Sequence, residues 1–236
     1  MDREERELLA RSTEAAVSAD DVDGALKDLG WMDAFADDPA AAVSILFTLQ
    51  GEANATSSAL GWMLGVPVAP RGAGIDPQLG VVDDDLADDA LALGRLALAH
   101  ELAGASRRML ELAREHAVDR IQFGVPIASF QAVRHKLAEA LVAVEAAEGT
   151  AAATWEDVTP LTAALAKAVA GRSAKVVRRH CQQVLAGIGF TTEHDLHRYV
   201  RRTIALDHLL GDSTTLTKQV GEHLLAERSL PSLLLL

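Results

Sequence analysis

The sequence predicts an all-α protein, an antiparallel bundle of long helices with a short N-terminal helical layer. Apolar residues recur at helical spacing through the second half of the chain, and glycine and proline stand between these periodic segments. Runs of β-branched residues are scarce. Hydrophobic residues make up 49 % of the 236 residues but aromatic residues only 4 %, so Leu, Ala and Val must fill the core.

The N-terminal region, residues 1–65, is expected to hold four short helices. Aspartates that favour helix starts and glycines that favour helix ends divide it. The expected helices are Asp2–Ala19, a second capped by Asp20 and Asp21 that runs to Leu29, a third from Asp38-Pro39 through Leu49, and a fourth over Ala53–Leu64.

Residues 66–85 are expected to form an irregular linker, because they hold prolines and glycines throughout and end in three aspartates. The remaining residues, 86–236, are expected to form the bundle domain. Its five expected helices are Leu86–Val118, Phe130–Trp155, a third from Pro160 that Gly187 and Gly189 stop, Glu193–Leu210 and Ser213–Glu227. Core stripes are expected along the first three, formed by Leu98, Leu102, Ala105, Met109 and Leu112, by Phe130, Val133, Leu137, Ala140 and Val144, and by Leu161, Leu165, Val169, Val176 and Val184.

Charge and cysteine content exclude several classes of function. Lys and Arg total 22 against 34 Asp and Glu, a formal net charge of −12, and an acidic surface repels nucleic acid. The single cysteine, Cys181, excludes an internal disulfide and fits a reducing cytosol, so a cytoplasmic protein is expected. The first six residues lack an apolar signal region, and no segment offers the roughly twenty apolar residues of a membrane span.

Two segments carry more chemistry than a helical connection requires. The first, from Arg120 to Gln131, reads Arg-Ile-Gln-Phe-Gly-Val-Pro-Ile-Ala-Ser-Phe-Gln. The second, from Gln183 to Tyr199, reads Gln-Val-Leu-Ala-Gly-Ile-Gly-Phe-Thr-Thr-Glu-His-Asp-Leu-His-Arg-Tyr. Together they resemble the two signature segments of the acyl-CoA dehydrogenase family, in the same order and about sixty residues apart. The resemblance covers the chain from about Leu86 onward and implies the C-terminal bundle of that family.

The resemblance implies cofactor-binding residues in both segments. Arg120 matches an arginine that reaches across a subunit interface to the pyrophosphate of FAD, and Gln122 and Phe123 match its neighbours at the cofactor. Gln183 and Gly187 match a second dinucleotide contact, although Ala186 stands where the family usually has a glycine. From position alone each has a simpler explanation. Arg120 complements a helix dipole, Phe123 packs in the core, and the Ala-Gly-Ile-Gly run only ends a helix.

No catalytic base stands in register with the family. The family places a glutamate either in a turn after the fourth bundle helix, where this chain has Leu210, or on the first bundle helix, where it has Gly94. Glu101 and Asp212 are the weak candidates to replace it. The family's β-domain, which forms most of the flavin pocket, also has no room within residues 66–85.

Other candidate sites are weaker. None of the eight histidines follows a glutamate by three residues, so no di-iron bundle site is predicted, and no metal is expected. Nucleophilic catalysis by His180 or Cys181 lacks an activating set of residues. Arg198, Arg201 and Arg202 form a basic helix face for an interface or for the nucleotide end of coenzyme A, or else a solvated face.

Two functions follow from the resemblance. The chain is either an acyl-CoA dehydrogenase-like subunit that acts on an acyl-CoA thioester only with a full-length partner, or a non-catalytic helical assembly protein derived from the same family. Activity of this chain alone, with Glu101 or Asp212 as base, ranks last. Wide apolar stripes and the leucine-rich end, Leu230–Leu236, predict a homo-oligomer or a hetero-oligomer with a full-length acyl-CoA dehydrogenase.

Overall fold

A computed structural model describes residues 1–65 and 86–228, and every structural statement below concerns these residues. The helices are α1 (Arg3–Val17), α2 (Val22–Asp28), α3 (Trp31–Asp37), α4 (Pro39–Ala53), α5 (Ala59–Leu64), α6 (Asp88–Asp119), α7 (Gln131–Thr154), α8 (Pro160–Leu185), α9 (Leu196–His208) and α10 (Ser213–Glu227). Strands β1 (Ile121–Gln122) and β2 (Val125–Pro126) form a hairpin, and 3₁₀ turns cover Ile127–Ser129 and Ala186–Phe190. The all-α prediction is confirmed.

Helix starts follow the capping residues in the sequence. Asp21, Asp38 and Asp212 each accept backbone N–H bonds from the first turn of the helix that follows. Thr159 forms a capping box with Thr162 and precedes Pro160, whose missing N–H costs nothing at that position. These local signals explain why the starts of α2, α4, α8 and α10 lie within one residue of those expected.

The N-terminal layer and the bundle share a hydrophobic core. Leu46 and Phe47 of α4 lie in one buried cluster with Leu98 and Leu102 of α6. The two helices cross closely at glycines: a β-carbon on Gly104 would lie 2.2 Å from the Thr48 carbonyl oxygen. Gly51 contacts α6 in the same way, since a β-carbon there would lie 2.2 Å from the Glu101 carbonyl oxygen.

Several expected helices differ from those observed. The fourth expected helix, Ala53–Leu64, ends where expected but starts later, because Asn54 adopts a left-handed conformation (φ 51°) that ends α4, and α5 begins only at Ala59. Helix α3 was not expected at all. The expected core stripe of the third bundle helix was correct only at Val184, which is buried. Leu161 and Leu165 pack instead against the cluster shared with α10. The face toward α6 and α7 carries Ala166, Ala170, Ala174, Val177 and Cys181.

The linker expected at 66–85 and the leucine-rich end, 230–236, lie outside the described residues. Among the described helices, none combines the length and the apolar character that crossing a bilayer would require.

Candidate functional site

The first segment forms a tight hairpin at the end of α6. Ile121 pairs with Pro126 and Gln122 with Val125, so Phe123 and Gly124 are the two turn residues. Both have positive φ, 54° and 81°, as a type I′ turn requires. The Arg120 carbonyl accepts a 2.8 Å hydrogen bond from the Ile127 N–H, which closes the hairpin onto the helix end.

The hairpin directs its polar and aromatic side chains outward. Arg120 and Gln122 are exposed, and Arg120 has no ion-pair partner among the described residues. Phe123 is 92 % exposed, and its ring lies edge-to-face with that of Phe130, with the ring centroids 6.1 Å apart. Core packing therefore does not explain Phe123 within this chain.

The second segment forms a turn after α8. Gln183 lies exposed in the last turn, and Ala186 has φ 53° and ψ −132°, a combination typical of glycine. Gly189 is buried, and a β-carbon there would lie 2.9 Å from Leu185 Cβ. Gly187, in contrast, is exposed with no atom within 4 Å of such a β-carbon. Nothing in the described chain needs a glycine at 187.

Both segments lie at the same end of the bundle. Helices α7 and α8 are joined by five residues and pack along their length, and Glu139 Oε2 lies 2.9 Å from His180 Nε2. The start of α7 therefore lies beside the end of α8. His116, in the last turn of α6, and His194, in the second segment, have ring centroids 6.4 Å apart. Sequence reasoning missed this histidine pair, because no spacing rule joins residues so far apart in the chain.

Exposed hydrophobic side chains concentrate at this end. Thirteen large hydrophobic residues are exposed in the described chain; six of them belong to the two segments, and a seventh lies on α6 two residues before the first segment. They are Val118, Ile121, Phe123, Val125, Phe130, Ile188 and Phe190. Apolar residues grouped around unpaired polar ones mark an interaction surface.

The two positions where the family places its base lie in contact with each other. A β-carbon on Gly94 would lie 2.7 Å from Leu210 Cδ1 and 3.1 Å from Leu64 Cδ2. Leu210 adopts a left-handed conformation (φ 58°), which turns its side chain over Gly94. The space is thus filled by aliphatic groups, and none of the three residues can accept a proton.

The two replacement candidates hold structural positions. Glu101 is fully buried, and its Oε1 accepts hydrogen bonds from Nη2 and, at 2.9 Å, from Nε of Arg202. The sequence predicted that Arg202 belongs to an exposed basic face. In the structure its side chain is instead buried and forms an ion pair with Glu101. Asp212 caps α10, and its hydrogen bonds with Thr215 and Thr214 lower its pKa to about 2, which makes it a weak base.

Metal and thiol chemistry find no support among the described residues. No group of three or more His, Cys, Asp or Glu side chains there could hold a metal ion. Burial raises the pKa of Cys181 to about 12, so its thiol stays protonated near neutral pH. Burial likewise lowers the pKa of His180, which bonds to Glu139.

An all-α bundle with these two segments at one end resembles the helical C-terminal part of a flavoprotein oxidoreductase. A family model described as the C-terminal domain of acyl-CoA dehydrogenase matches residues 85–225, more than half of the chain. The protein belongs to the acyl-CoA dehydrogenase family, as the two segments predicted.

Similar proteins match mostly in this region. The acyl-CoA dehydrogenase IpdE2 of Mycobacterium tuberculosis (strain ATCC 25618 / H37Rv) is 38 % identical over 128 residues, which are 54 % of this chain and 39 % of that protein. FadE34 of the same organism is 43 % identical over 128 residues, 51 % of this chain and 18 % of that one. The chain thus spans well under half the length of these curated relatives.

Solved structures show the same fold. Butyryl-CoA dehydrogenase from Megasphaera elsdenii superposes with a TM-score of 0.54 at 28 % identity, over 58 % of this chain and 37 % of that one. A chain of the Tcur3481-Tcur3483 steroid ACAD G363A variant superposes with a TM-score of 0.75 at 18 % identity, over 95 % of this chain and 98 % of that one. At that identity the second match shows the fold alone.

Proposed function

We propose that this chain is a subunit for FAD-dependent α,β-oxidation of an acyl-CoA thioester and works only with a full-length partner. The observation that carries the proposal is the exposed end of the bundle, where hydrophobic side chains surround the unpaired Arg120. The partner would bring the β-domain and the catalytic base. This chain would contribute its two signature segments to FAD in that partner.

Helix length supports contribution across an interface. Gly94 and Arg120 lie at opposite ends of α6, about 26 residues or roughly 39 Å apart. This separation supports the proposal that Arg120 and the position of the family's base would serve two different active sites of an assembly.

The residues at the exposed end fit a dinucleotide. The guanidinium of Arg120 can pair with phosphate oxygens, and Gln122 and Gln183 can donate or accept hydrogen bonds nearby. Phe123 offers an open ring face, and Gly187 lets a ligand approach the backbone closely. Bound FAD would supply the hydride acceptor of the oxidation.

A two-component assembly is supported by the size of the similar solved chain. The chain matched over 98 % of its length comes from a structure whose name joins Tcur3481 and Tcur3483 and calls them a steroid ACAD. The matched chain is thus similar to this one in size and fold and comes from a structure whose name joins two components. By analogy we propose a partner of the same family for this chain.

The second candidate is a helical assembly protein that no longer binds flavin. Ala186 favours it, because a methyl group stands where the family usually has glycine, beside the proposed contact at Gly187. Such a protein would use the same exposed surface for its partner. Flavin content of the complex separates the two candidates.

The test is co-expression with a full-length relative, followed by purification and a visible absorbance scan. A yellow complex supports the first candidate, and a colourless complex supports the second. Arg120→Ala should then lower flavin affinity about ten-fold or more, since one charge-assisted phosphate contact is lost. Arg114→Ala is the matched control, because Arg114 is also exposed on α6 and has no ion pair in the described chain.

Arg107 would be a poor control, since its guanidinium donates hydrogen bonds to Glu145 and Glu148 of α7. Replacing it would therefore also disturb the packing of α6 on α7. Equal flavin occupancy in the Arg120 and Arg114 variants would remove Arg120 from the cofactor site.

A further inference from the structure

Helix α9 begins without the side-chain cap that starts several other helices. Asp195, the residue before it, has helical backbone angles (φ −59°, ψ −18°), and its side chain forms no capping hydrogen bond in the described chain. Asp21, Asp38 and Asp212 do form such bonds at the starts of α2, α4 and α10. Because the first four N–H groups of a helix lack intrahelical partners, α9 needs a different acceptor at its start.

His194 supplies that acceptor from the position before Asp195. Its ring Nδ1 accepts a 3.1 Å hydrogen bond from the N–H of Leu196, the first residue of α9. A ring nitrogen that accepts a hydrogen bond carries no proton, so this bond requires the neutral imidazole with its proton on Nε2. The start of α9 therefore depends on the charge state of one side chain.

A second histidine bond at the same place does not depend on charge in this way. His197 Nδ1 lies 2.9 Å from the His194 carbonyl oxygen, which can only accept, so His197 is the donor. A proton added to His197 goes to its Nε2 and leaves this bond in place. Of these two histidines, only His194 thus loses a hydrogen bond on protonation.

His116 faces His194 from the last turn of α6. The two rings are nearly perpendicular, with centroids 6.4 Å apart. Burial lowers the pKa of His116, and the nearby His194 and Arg120 lower it further. Asp119 raises it. A positive charge on His194 would repel one on His116, and it would also oppose the positive end of the α9 dipole. Protonation therefore places like charges where the second segment meets α6.

The other charged groups around this pair belong to the elements that meet there. The part of the first segment that packs on α6, residues 125–129, carries no charged side chain, nor does the last turn of α8. Asp195 lies 3.6 Å from Arg198. Carboxylic acids in general titrate near pH 4 and guanidinium groups above about pH 12, so the charge that changes here between about pH 7.5 and 5 is that of the histidines. The remaining titratable and charged side chains in the last turn of α6 and beside His194 are Glu115, Asp119, Arg120, Glu193 and His197.

We infer that the start of α9 is a pH-sensitive switch, which is closed near neutral pH and opens in mild acid. Protonation of His194 at Nδ1 turns the acceptor of the Leu196 N–H into a donor, so this hydrogen bond is lost. Histidine ordinarily changes charge between about pH 5 and 8, so the stabilisation is present above this range and lost below it. The second segment, which runs into α9, is then held less firmly at the end of the bundle.

The switch does not depend on flavin binding, because His194, Leu196 and His116 all belong to this chain. Gln183 and Gly187 lie in the same segment, so the switch acts on the surface that we assign to the cofactor. Failure of the flavin proposal would leave the switch intact, because its experiment uses the purified chain without flavin.

The test is amide hydrogen exchange of the purified full chain, followed residue by residue by NMR at about pH 7.5 and about pH 5. Each exchange rate is divided by the intrinsic rate at that pH, so that only protection by structure is compared. Protection of the Leu196 amide should fall about five-fold or more in acid, the effect of losing a typical capping bond. Protection of the Gly24 amide, which donates to the Asp21 carboxylate at 2.9 Å, should stay unchanged.

Two variants at one position separate the histidine ring from the helix start itself. His194→Asn keeps a side-chain acceptor for the Leu196 N–H but cannot titrate, so protection of this amide should be the same at both pH values. His194→Ala has no side-chain acceptor, so the Leu196 amide should exchange fast at both. His208→Asn, the same change at an exposed histidine in the last turn of α9, should behave like the wild type.

Circular dichroism establishes that each variant is folded. Equal protection of the Leu196 amide at both pH values in the wild type would overturn the inference. A loss in His194→Asn as large as in the wild type, or an equal loss at Gly24, would do so as well, because acid would then act without the His194 ring. A Leu196 amide that stays protected in His194→Ala would show that its N–H has another partner, which also contradicts the switch.

Discussion

Replacing Ala186 by glycine should stabilise the protein, although the change removes a methyl group. Ala186 has φ 53° and ψ −132°, a backbone region that L-residues avoid because Cβ crowds the neighbouring carbonyl. Strain of this kind costs of order 1–3 kcal/mol. Glycine removes the strain but adds about 0.5–1 kcal/mol of chain entropy to the unfolded state. The net gain in the free energy of unfolding should be about 0.5–2 kcal/mol.

The assay is urea denaturation of the wild-type protein and of Ala186→Gly, followed by the circular dichroism of the helices. Both curves are fitted with the same dependence of the free energy of unfolding on urea concentration. Ala138→Gly is the matched control, since Ala138 is exposed in the interior of α7 and glycine costs about 1 kcal/mol in a helix interior. The same chemical change should therefore have opposite signs at the two positions. If Ala186→Gly destabilised the protein as much as the control, the left-handed geometry at Ala186 could not be the source of strain.

Three further predictions test the core, the pH dependence and the activity. Gly104→Ala should destabilise by about 1–3 kcal/mol in urea denaturation, because its β-carbon would collide with the Thr48 carbonyl, whereas Gly149→Ala, which meets no atom within 4 Å, should stabilise slightly. Burial lowers the pKa of His100 from 6.5 to about 4 in the folded protein. As pH falls, the unfolded chain therefore binds a proton at His100 before the folded protein does. The free energy of unfolding should fall by up to about 3 kcal/mol between pH 6.5 and about 4. His100→Gln keeps an acceptor for Trp155 Nε1 and should flatten that pH dependence; an unchanged slope would assign it to other groups. The purified chain with added FAD should give no dye-linked oxidation of short, long or polycyclic acyl-CoA esters, and clear turnover would show that the chain holds its own base.

The bundle helices could be predicted closely because their signals are local. Pro160 and the cap at Thr159 start α8 as expected, and α10 covers the predicted Ser213–Glu227. Core positions on α6 were also predictable, since its stripe from Leu98 to Leu112 is buried. The spacing of alanines was less informative about the core. Helix α8 buries Ala166, Ala170 and Ala174. Alanine at every third or fourth position does not by itself distinguish a buried helix face from an exposed one.

The site was predictable as two segments but not as a surface. Arg120 and Gly187 were named from the resemblance, and that they belong to one end of the bundle required the packing of α7 on α8. The burial of Glu101 with Arg202 was not predictable, since 101 residues separate them. The residues around each of them are equally compatible with an exposed side chain. Contacts at such separation depend on tertiary structure that periodicity does not encode.

The absence of a carboxylate at positions 94 and 210 is physically consistent with the short stretch of chain between α5 and α6. Placing a charged carboxylate in an apolar site beside the acyl chain costs desolvation free energy. The carboxylate contributes to catalysis only where a bound flavin can accept the hydride. Where the chain has no room for the family's β-domain, Leu210 instead fills the space over Gly94 and contributes apolar packing with Leu64. The cations around the turn now bond to its backbone: Arg95 Nε donates to the Leu210 carbonyl at 3.0 Å, and the buried Lys167 Nζ donates to two further carbonyls. This turn thus contributes apolar packing and hydrogen bonds to the fold, which agrees with our proposal that the opposite end of α6 serves the active site of a partner.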